Sequence, residues 1–367
     1  MKRTPLPRVL LGPGPSSISP KVQEALGQAP IGYLDPELFE ITDRIRARLR
    51  TVFGTQNAFT IPLTGTGMAG MECCFANLIE PGDKVLIGMH GFFGERMAEI
   101  ARRLGAEVIT VQAAWGEAIE PKAIAKALAS AGKVKLVACV HAETSTGICQ
   151  PLEEIAKLVR EHDALFLVDT VTSLGGMPVD VDRLGIDVSY SGTQKCIGAP
   201  SGISPITVSE RAWEVRQRRR APVEWYFDWV LLRDYYDSPH AYHHTVPVNL
   251  LYALDAALEE IEEEGLEARW QRHIAVSMLL KEQLKELGIE PFGCAAHRLP
   301  TLNAYCVPNA VDNEANVRAR LLQDYGIEIG GGLGKLRGKI WRIGTMGSSA
   351  TPRNVLLLSA ALRTVLN

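Results

Sequence analysis

The chain has 367 residues, 46 % of them hydrophobic and 22 % charged, with a formal net charge of −3. That length suits two domains, or one large and one small, around a sizeable core. The charge balance gives no footing for nucleic acid or an anionic membrane as partner, and no apolar run reaches the length of a bilayer span.

The chain opens with MKRTPLPRVLLGPGP, whose apolar run is broken by proline and glycine and does not read as a signal peptide. From about residue 58 apolar runs alternate with amphipathic ones. AFTIPL reads as a buried strand, and TGTGMAGMECCFANLI as a helix opened by glycines. KVLIGM, EVITVQ, VKLVACV and ALFLVD read as further strands, separated by the helical patterns FGERMAEIARRLG, KAIAKALASAG and LEEIAKLVREHD. IDVSYS and ISPITVS supply two more strands. Apolar strands separated by helices predict an α/β fold with a mostly parallel sheet covered on both faces. The run Arg216, Arg218, Arg219 and Arg220 reads as a solvated helix face.

After about residue 246 the rhythm changes. Two long helical patterns, PVNLLYALDAALEEIEEEG and LEARWQRHIAVSMLLKEQLKELG, precede the strand-like pieces TLNAYCV, IEIGGG and KIWRIG and a final helix. This predicts a small α+β C-terminal domain over 251–367, following a large domain over 21–250 and an N-terminal segment over 1–20. The seven cysteines are scattered, with no CxxC pair, which predicts reduced thiols and a cytoplasmic protein.

Five stretches carry candidate chemistry. GTGMAG, residues 65–70, matches G-x-G-x-x-G after a strand and at a helix start. A dinucleotide site also wants an acid at the end of the next strand, but KVLIGMH ends in Met89 and His90, and Asp83 stands at the wrong end. What remains is a turn whose backbone N–H groups suit a phosphate at a helix N-terminus, or else a close packing turn. LFLVDTVTSLGG places Asp169 at the C-terminal end of a very apolar strand, where open α/β sheets bind ligands. The plainer reading is a turn-forming aspartate. SYSGTQKCIGAP surrounds Lys195 with small and hydrogen-bonding residues. Burial there would lower its pKa and make it a nucleophilic amine, unless an acid pairs with it. HAYHHTVPV holds His240, His243 and His244, but no nearby acid or cysteine completes a metal set. KIWRIGTMG sets Arg342 among apolar residues, as a fork for a substrate carboxylate or as one half of a salt bridge.

A phosphate-type turn, a strand-end aspartate and a nucleophilic lysine, in that order on one parallel sheet, match the needs of pyridoxal 5'-phosphate. Its phosphate wants backbone donors, its ring nitrogen a carboxylate and its aldehyde an amine.

LLGPGPS, TGTGM, EPGDKVLIG, HGFFGER, HAETSTG, VDTVTSLGG, SGTQK, YHHTVPV and WRIGTMG occur in an order that resembles the class V aminotransferases, in particular the alanine–glyoxylate and serine–pyruvate (serine–glyoxylate) group. The resemblance runs from about Leu10 to the C-terminus. It implies the fold type I architecture of pyridoxal-phosphate enzymes and a homodimer with shared active sites. It implies transamination of a small amino acid, alanine or serine, with glyoxylate or pyruvate as acceptor. Lys195 would bond the cofactor's aldehyde, Asp169 would pair with the ring nitrogen, and Phe93 would stack on the ring. Thr66, Gly67 and Met68 would form the phosphate turn with Gln194, and Thr144 and Val171 would contact the ring. Tyr242 and Thr245 would reach the phosphate region of the partner subunit. Arg342 would hold the substrate carboxylate, and Gly14 would help close the pocket. Phe93 stands where relatives often carry Trp, and Met68 where some carry a polar residue. Gln194 before the lysine argues against a desulfurase. The other readings are the same fold with another amino donor (ureidoglycine, hydroxykynurenine or an aminophosphonate), an NAD-dependent oxidoreductase built on GTGMAG, and a non-catalytic subunit.

Overall fold

The apolar runs from residue 59 onward form one seven-stranded sheet in the computed structural model, which describes residues 6–366. Its strands are β1 (Phe59–Thr64), β2 (Lys84–Met89), β3 (Glu107–Gln112), β4 (Leu136–Val140), β5 (Leu165–Asp169), β6 (Val188–Tyr190) and β7 (Ile203–Val208). Their order across the sheet is β1-β7-β6-β5-β4-β2-β3. Only β7 is reversed, pairing antiparallel with both β1 and β6. The inner strands β4 and β5 are buried along their whole length, as near-continuous apolar runs require when helices cover both faces. The edge strand β3 is only partly buried, and it begins and ends on charged and polar residues.

All seven sheet strands read from the sequence are present. An 18-residue helix, Pro36–Phe53, precedes the alternation and was not part of that reading. It has Asp35 as N-cap, Pro36 in its first turn and a left-handed Gly54 at its end.

Two apolar cores share the molecule. The larger lies on the seven-stranded sheet and includes Leu251, Leu254, Leu258 and Ile261 from the helix Val248–Glu264. The smaller begins with Val276, Leu280 and Leu284 of the next helix, Leu266–Lys285, and gathers Trp341, Ile343, Leu358 and Leu362. The apolar face of Val248–Glu264 therefore lies in the larger core, and the handover between cores falls inside the following helix. The smaller core backs a three-stranded antiparallel sheet with Ile340–Gly344 between Leu302–Cys306 and Gly330–Gly331.

Residues 1–5 of the expected N-terminal segment, and residue 367, lie outside the described residues. The rest of that segment spans both halves. Val9–Leu10 pairs parallel with Ile327–Glu328, and Leu11 enters the smaller core. Ser16 then hydrogen-bonds the backbone of Gln194 and Lys195 in the larger half. The arginine run is not wholly solvated. Arg216 is buried, donating to Asn77 at 3.0 Å and to Asp228 at 2.6 Å, so a charge facing the core is matched by a carboxylate.

Candidate active site

A cavity opens at the C-terminal ends of the parallel strands, where loops leave the sheet. It is lined by Thr66, Gly67, Met68, Phe93, Thr144, Asp169, Val171, Gln194 and Lys195, together with Met71, Val140 and Ala142. Residues spread over 130 positions of sequence thus meet because they lie at strand ends or on the loops and helix starts that follow them.

The glycine turn follows β1. Gly65 adopts φ +141°, and a side chain there would strike Ala69. A Cβ on Gly67 would approach Val171 to 3.0 Å, and one on Gly70 would lie 2.0 Å from Ser204 Oγ on β7. These glycines therefore let the helix Gly67–Leu78 press onto the sheet with its N-terminus at the cavity. Thr66 makes no side-chain cap, and among the described residues no protein acceptor takes the Gly67 or Met68 N–H. The dinucleotide alternative finds no acid at the end of β2: His90 there is fully buried, and Asp83, before the strand, pairs with Lys135 at 2.6 Å.

A second helix, Phe92–Arg103, also starts at the cavity, but its N-terminus is filled. The buried Glu143 carboxylate accepts from the Phe93 N–H at 3.1 Å and the Gly94 N–H at 3.4 Å, and Ser145 Oγ accepts from the Phe92 N–H. Of the two helix N-termini, only that of Gly67–Leu78 leaves backbone donors free to suit an anion.

Asp169 ends β5. Its carboxylate accepts from the Tyr190 hydroxyl at 2.7 Å and the Val171 N–H at 2.8 Å. Burial pushes its pKa up to about 6, against the lowering effect of those two bonds and of the Lys195 charge. Tyr190 was missed as a site residue. It lies beside Asp169 because β5 and β6 pair in parallel with those two residues in register, and only that pairing could have signalled it.

Lys195 leaves β6 through the Gly192–Thr193–Gln194 turn, and its Nζ donates to the Pro13 carbonyl. Burial first, and the Arg342 charge second, lower its pKa to about 8. Gly14 closes over it at φ +115°, and a Cβ there would lie 2.5 Å from the Lys195 Nζ. Only glycine fits that approach.

Arg342 is buried and outside the cavity lining. It donates to the Gly331 carbonyl at 2.8 Å and the Thr144 carbonyl at 3.3 Å, with no ion pair among the described residues. Burial lowers its pKa to about 10, while Glu143 holds it up. Thr144 also shares a 2.6 Å hydroxyl contact with Thr172. Tyr242 and Thr245 are not brought to this cavity; both are exposed, and Tyr242 rests on Tyr33 with ring centroids 5.2 Å apart. In the same segment His243 and His244 bond each other, His244 bonds Thr64 and His240 bonds the Tyr235 carbonyl, and no metal-holding cluster occurs among the described residues.

These residues fit pyridoxal phosphate. Two backbone amides at a helix N-terminus have no acceptor among the described residues, a buried carboxylate and an amine of lowered pKa share one cavity, and the buried Gln194 Oε1 has no partner among the described residues. The profile of the family described as aminotransferase class-V matches residues 27–335. An alanine–glyoxylate aminotransferase from Oryctolagus cuniculus is 40 % identical, over 98 % of this chain and 92 % of its own length. A (S)-ureidoglycine–glyoxylate transaminase from Bacillus subtilis (strain 168) is 39 % identical, over 99 % of this chain and 91 % of its own. The crystal structure of an alanine–glyoxylate aminotransferase from Nostoc sp. superposes with a TM-score of 0.97 at 47 % identity, covering 100 % of this chain and 97 % of that one. The resemblance read from the motifs therefore holds along the whole chain: it belongs to the class V aminotransferases, enzymes that depend on pyridoxal phosphate.

Proposed function

We propose that this aminotransferase moves the amino group of a small amino acid, alanine or serine, to glyoxylate or pyruvate. The observation that carries the reading is the meeting of the Lys195 amine and the Asp169 carboxylate in one cavity beside an open helix N-terminus. Pyridoxal phosphate, when bound, supplies an aldehyde for the amino group and a ring that takes up the electrons of a breaking Cα–H bond.

The chain's own residues do the rest. Gly67 and Met68 offer N–H groups to the phosphate, with Thr66 and Gln194 beside them. Asp169, oriented by Tyr190 and Val171, holds a proton on the ring nitrogen. Phe93 and Val171 would give the ring apolar walls, and Thr144 would contact it. Lys195, with its pKa lowered to about 8, is a free amine in a useful fraction near neutral pH. It takes the proton from the substrate Cα at Nζ and gives it back. Arg342 takes the substrate carboxylate, which fits a buried guanidinium with no acid bound to it among the described residues. Gly14 lets the N-terminal segment close over Lys195.

The relatives named for alanine and glyoxylate support the donor and acceptor. The ureidoglycine–glyoxylate relative, 39 % identical over 99 % of the chain, makes ureidoglycine the second reading for the donor, with glyoxylate common to both. Exposed Tyr33, Leu34, Trp225, Tyr226 and Tyr242 support a homodimer in which Tyr242 and Thr245 reach the partner's phosphate region. Seven free cysteines, four of them buried, suit a reducing cytoplasm. No helix among the described residues is long and apolar enough to cross a membrane.

The test is a visible absorption spectrum of the protein loaded with pyridoxal phosphate, followed by each donor and then glyoxylate. The expected band is bleached by the true donor and restored by glyoxylate. A protein that stays colourless, or a band that Lys195→Ala leaves unchanged, removes the reading. A band bleached by ureidoglycine and not by alanine or serine moves the donor to the second reading.

A further inference from the structure

We propose that Glu143 is a positioning residue for the cofactor, one buried carboxyl group that fixes Phe93 and Thr144 together; this rests on the reading of the cavity given above.

Glu143 is fully buried, and a lone carboxylate is costly there unless it is well bonded. It is bonded on both oxygens. One accepts from the Phe93 N–H at 3.1 Å and the Gly94 N–H at 3.4 Å. The other accepts from the Ser145 N–H at 3.0 Å and the Ser145 hydroxyl at 2.6 Å. The first oxygen sets the backbone that carries the Phe93 ring. The second closes a tight loop around Thr144, whose carbonyl in turn accepts from Arg342 at 3.3 Å. Two segments about 50 residues apart, each giving one cavity wall, are thus tied through a single carboxylate.

The surroundings are shaped for it. Gly91 is extended, at φ 177°, so its conformation does not require glycine. A Cβ there would lie 2.3 Å from Glu143 Cγ and 2.5 Å from Ser145 Oγ. The space is reserved for the Glu143 side chain. A neutral side chain would also satisfy part of this loop, but only a carboxylate accepts on both arms. Burial pushes the Glu143 pKa up to about 7, against the bonds from Ser145 and the Gly94 N–H at the helix N-terminus, which favour the charged form; Arg342 gains from that charge.

Glu143→Gln keeps the shape and turns one arm from acceptor to donor. Either the Phe93 and Gly94 amides or the Ser145 donors then lose their partner. Ser145→Ala is the milder variant, removing the 2.6 Å bond and the acceptor for Phe92. The experiment titrates pyridoxal phosphate into each apoprotein and records the visible circular dichroism per bound cofactor, beside the melting temperature of the apoprotein. Glu143→Gln is expected to weaken cofactor binding about tenfold or more and to change the ellipticity of the bound ring. Ser145→Ala is expected to move both in the same sense by less. A purely structural carboxylate would lower the melting temperature and leave the ellipticity per bound cofactor at the wild-type value; that outcome overturns the proposal. If Glu143→Gln does not fold, Ser145→Ala decides, and unchanged affinity and ellipticity in that variant overturn it. A wild-type protein that binds no pyridoxal phosphate removes the cofactor site and this proposal with it. A wild-type band with unchanged variants removes this proposal alone.

Discussion

Asp169 shows how one residue's chemistry depends on a neighbour that motif reading passes over. Its carboxyl has a pKa raised to about 6 by burial, and the Tyr190 hydroxyl is the strongest influence holding it down. Tyr190→Phe removes that 2.7 Å bond and leaves the burial intact. The pKa of Asp169 then rises by about one unit, the worth of a hydrogen bond to a charged group. If the anionic form is the active one, activity requires a higher pH. The acidic limb of the kcat/KM profile should therefore move upward in Tyr190→Phe by about one unit, with little change on the basic side. An unmoved acidic limb would mean that Asp169 is held anionic by the ring nitrogen alone. Lys195 and Asp169 were legible in the sequence because a lysine among small polar residues, and an acid after an apolar run, are unusual by themselves. Tyr190 and Glu143 were not legible. Their motifs were visible, but the direction of each side chain is set by strand register and by the backbone of a distant loop.

The glycine turn was legible as an element and ambiguous as a site. G-x-G-x-x-G describes a helix driven close to a sheet, and several ligand classes use that geometry. The structure assigns the spacing to contacts: Gly67 against Val171, and Gly70 against Ser204 and Tyr190. Gly70→Ala brings two opposed effects. Alanine favours a helix interior by about 1 kcal/mol over glycine. Its methyl would lie 2.0 Å from Ser204 Oγ, a hydroxyl that already donates to the Ser191 carbonyl at 2.6 Å, and overpacking of this kind costs about 1–3 kcal/mol. The clash should win, lowering stability by about 1–2 kcal/mol in chemical denaturation. Ser204→Ala removes the offending oxygen, so the double variant should be more stable than the sum of the single effects, by about 1 kcal/mol. Strict additivity would place the helix farther from β7 than these contacts require. The helix Val248–Glu264 shows the converse limit of sequence reading. Its amphipathic pattern resembles that of the helix after it, and nothing in either pattern says which core each apolar face enters. That is settled by packing, which places Leu251 and Leu258 in the larger core and Leu280 and Leu284 in the smaller.

At the scale of the molecule, exposed aromatic residues form two groups, Tyr33 with Tyr242, and Trp225 with Tyr226 over the buried His243 and His244. Tyr242 rests on Tyr33, Tyr226 lies against His243 and His244, and His243 stacks on Trp225 with centroids 4.2 Å apart. Beneath the second group, His244 bonds Thr64 at 2.8 Å, at the end of β1 and next to the glycine turn. Tyr242 is 58 % exposed and Trp225 58 %, values that leave large apolar rings in water. Sequence could name Tyr242 and Thr245 only through the family's motif, because whether a ring faces solvent or a second copy is not written in local pattern. If a second copy covers this surface, Tyr242→Glu buries an unpaired charge at the interface, a change that costs about 3–5 kcal/mol. The dimer should then dissociate at protein concentrations at least about a hundredfold higher than the wild type. Cofactor affinity should fall with it, because Tyr242 and Thr245 would no longer reach a phosphate held by the partner's turn. Sedimentation velocity followed at both the protein and the cofactor absorbance reads the two effects in one run. A monomer that keeps its cofactor at wild-type affinity would confine the phosphate site to one chain. An unchanged dimer would place the interface on another face and leave the aromatic surface to a different partner.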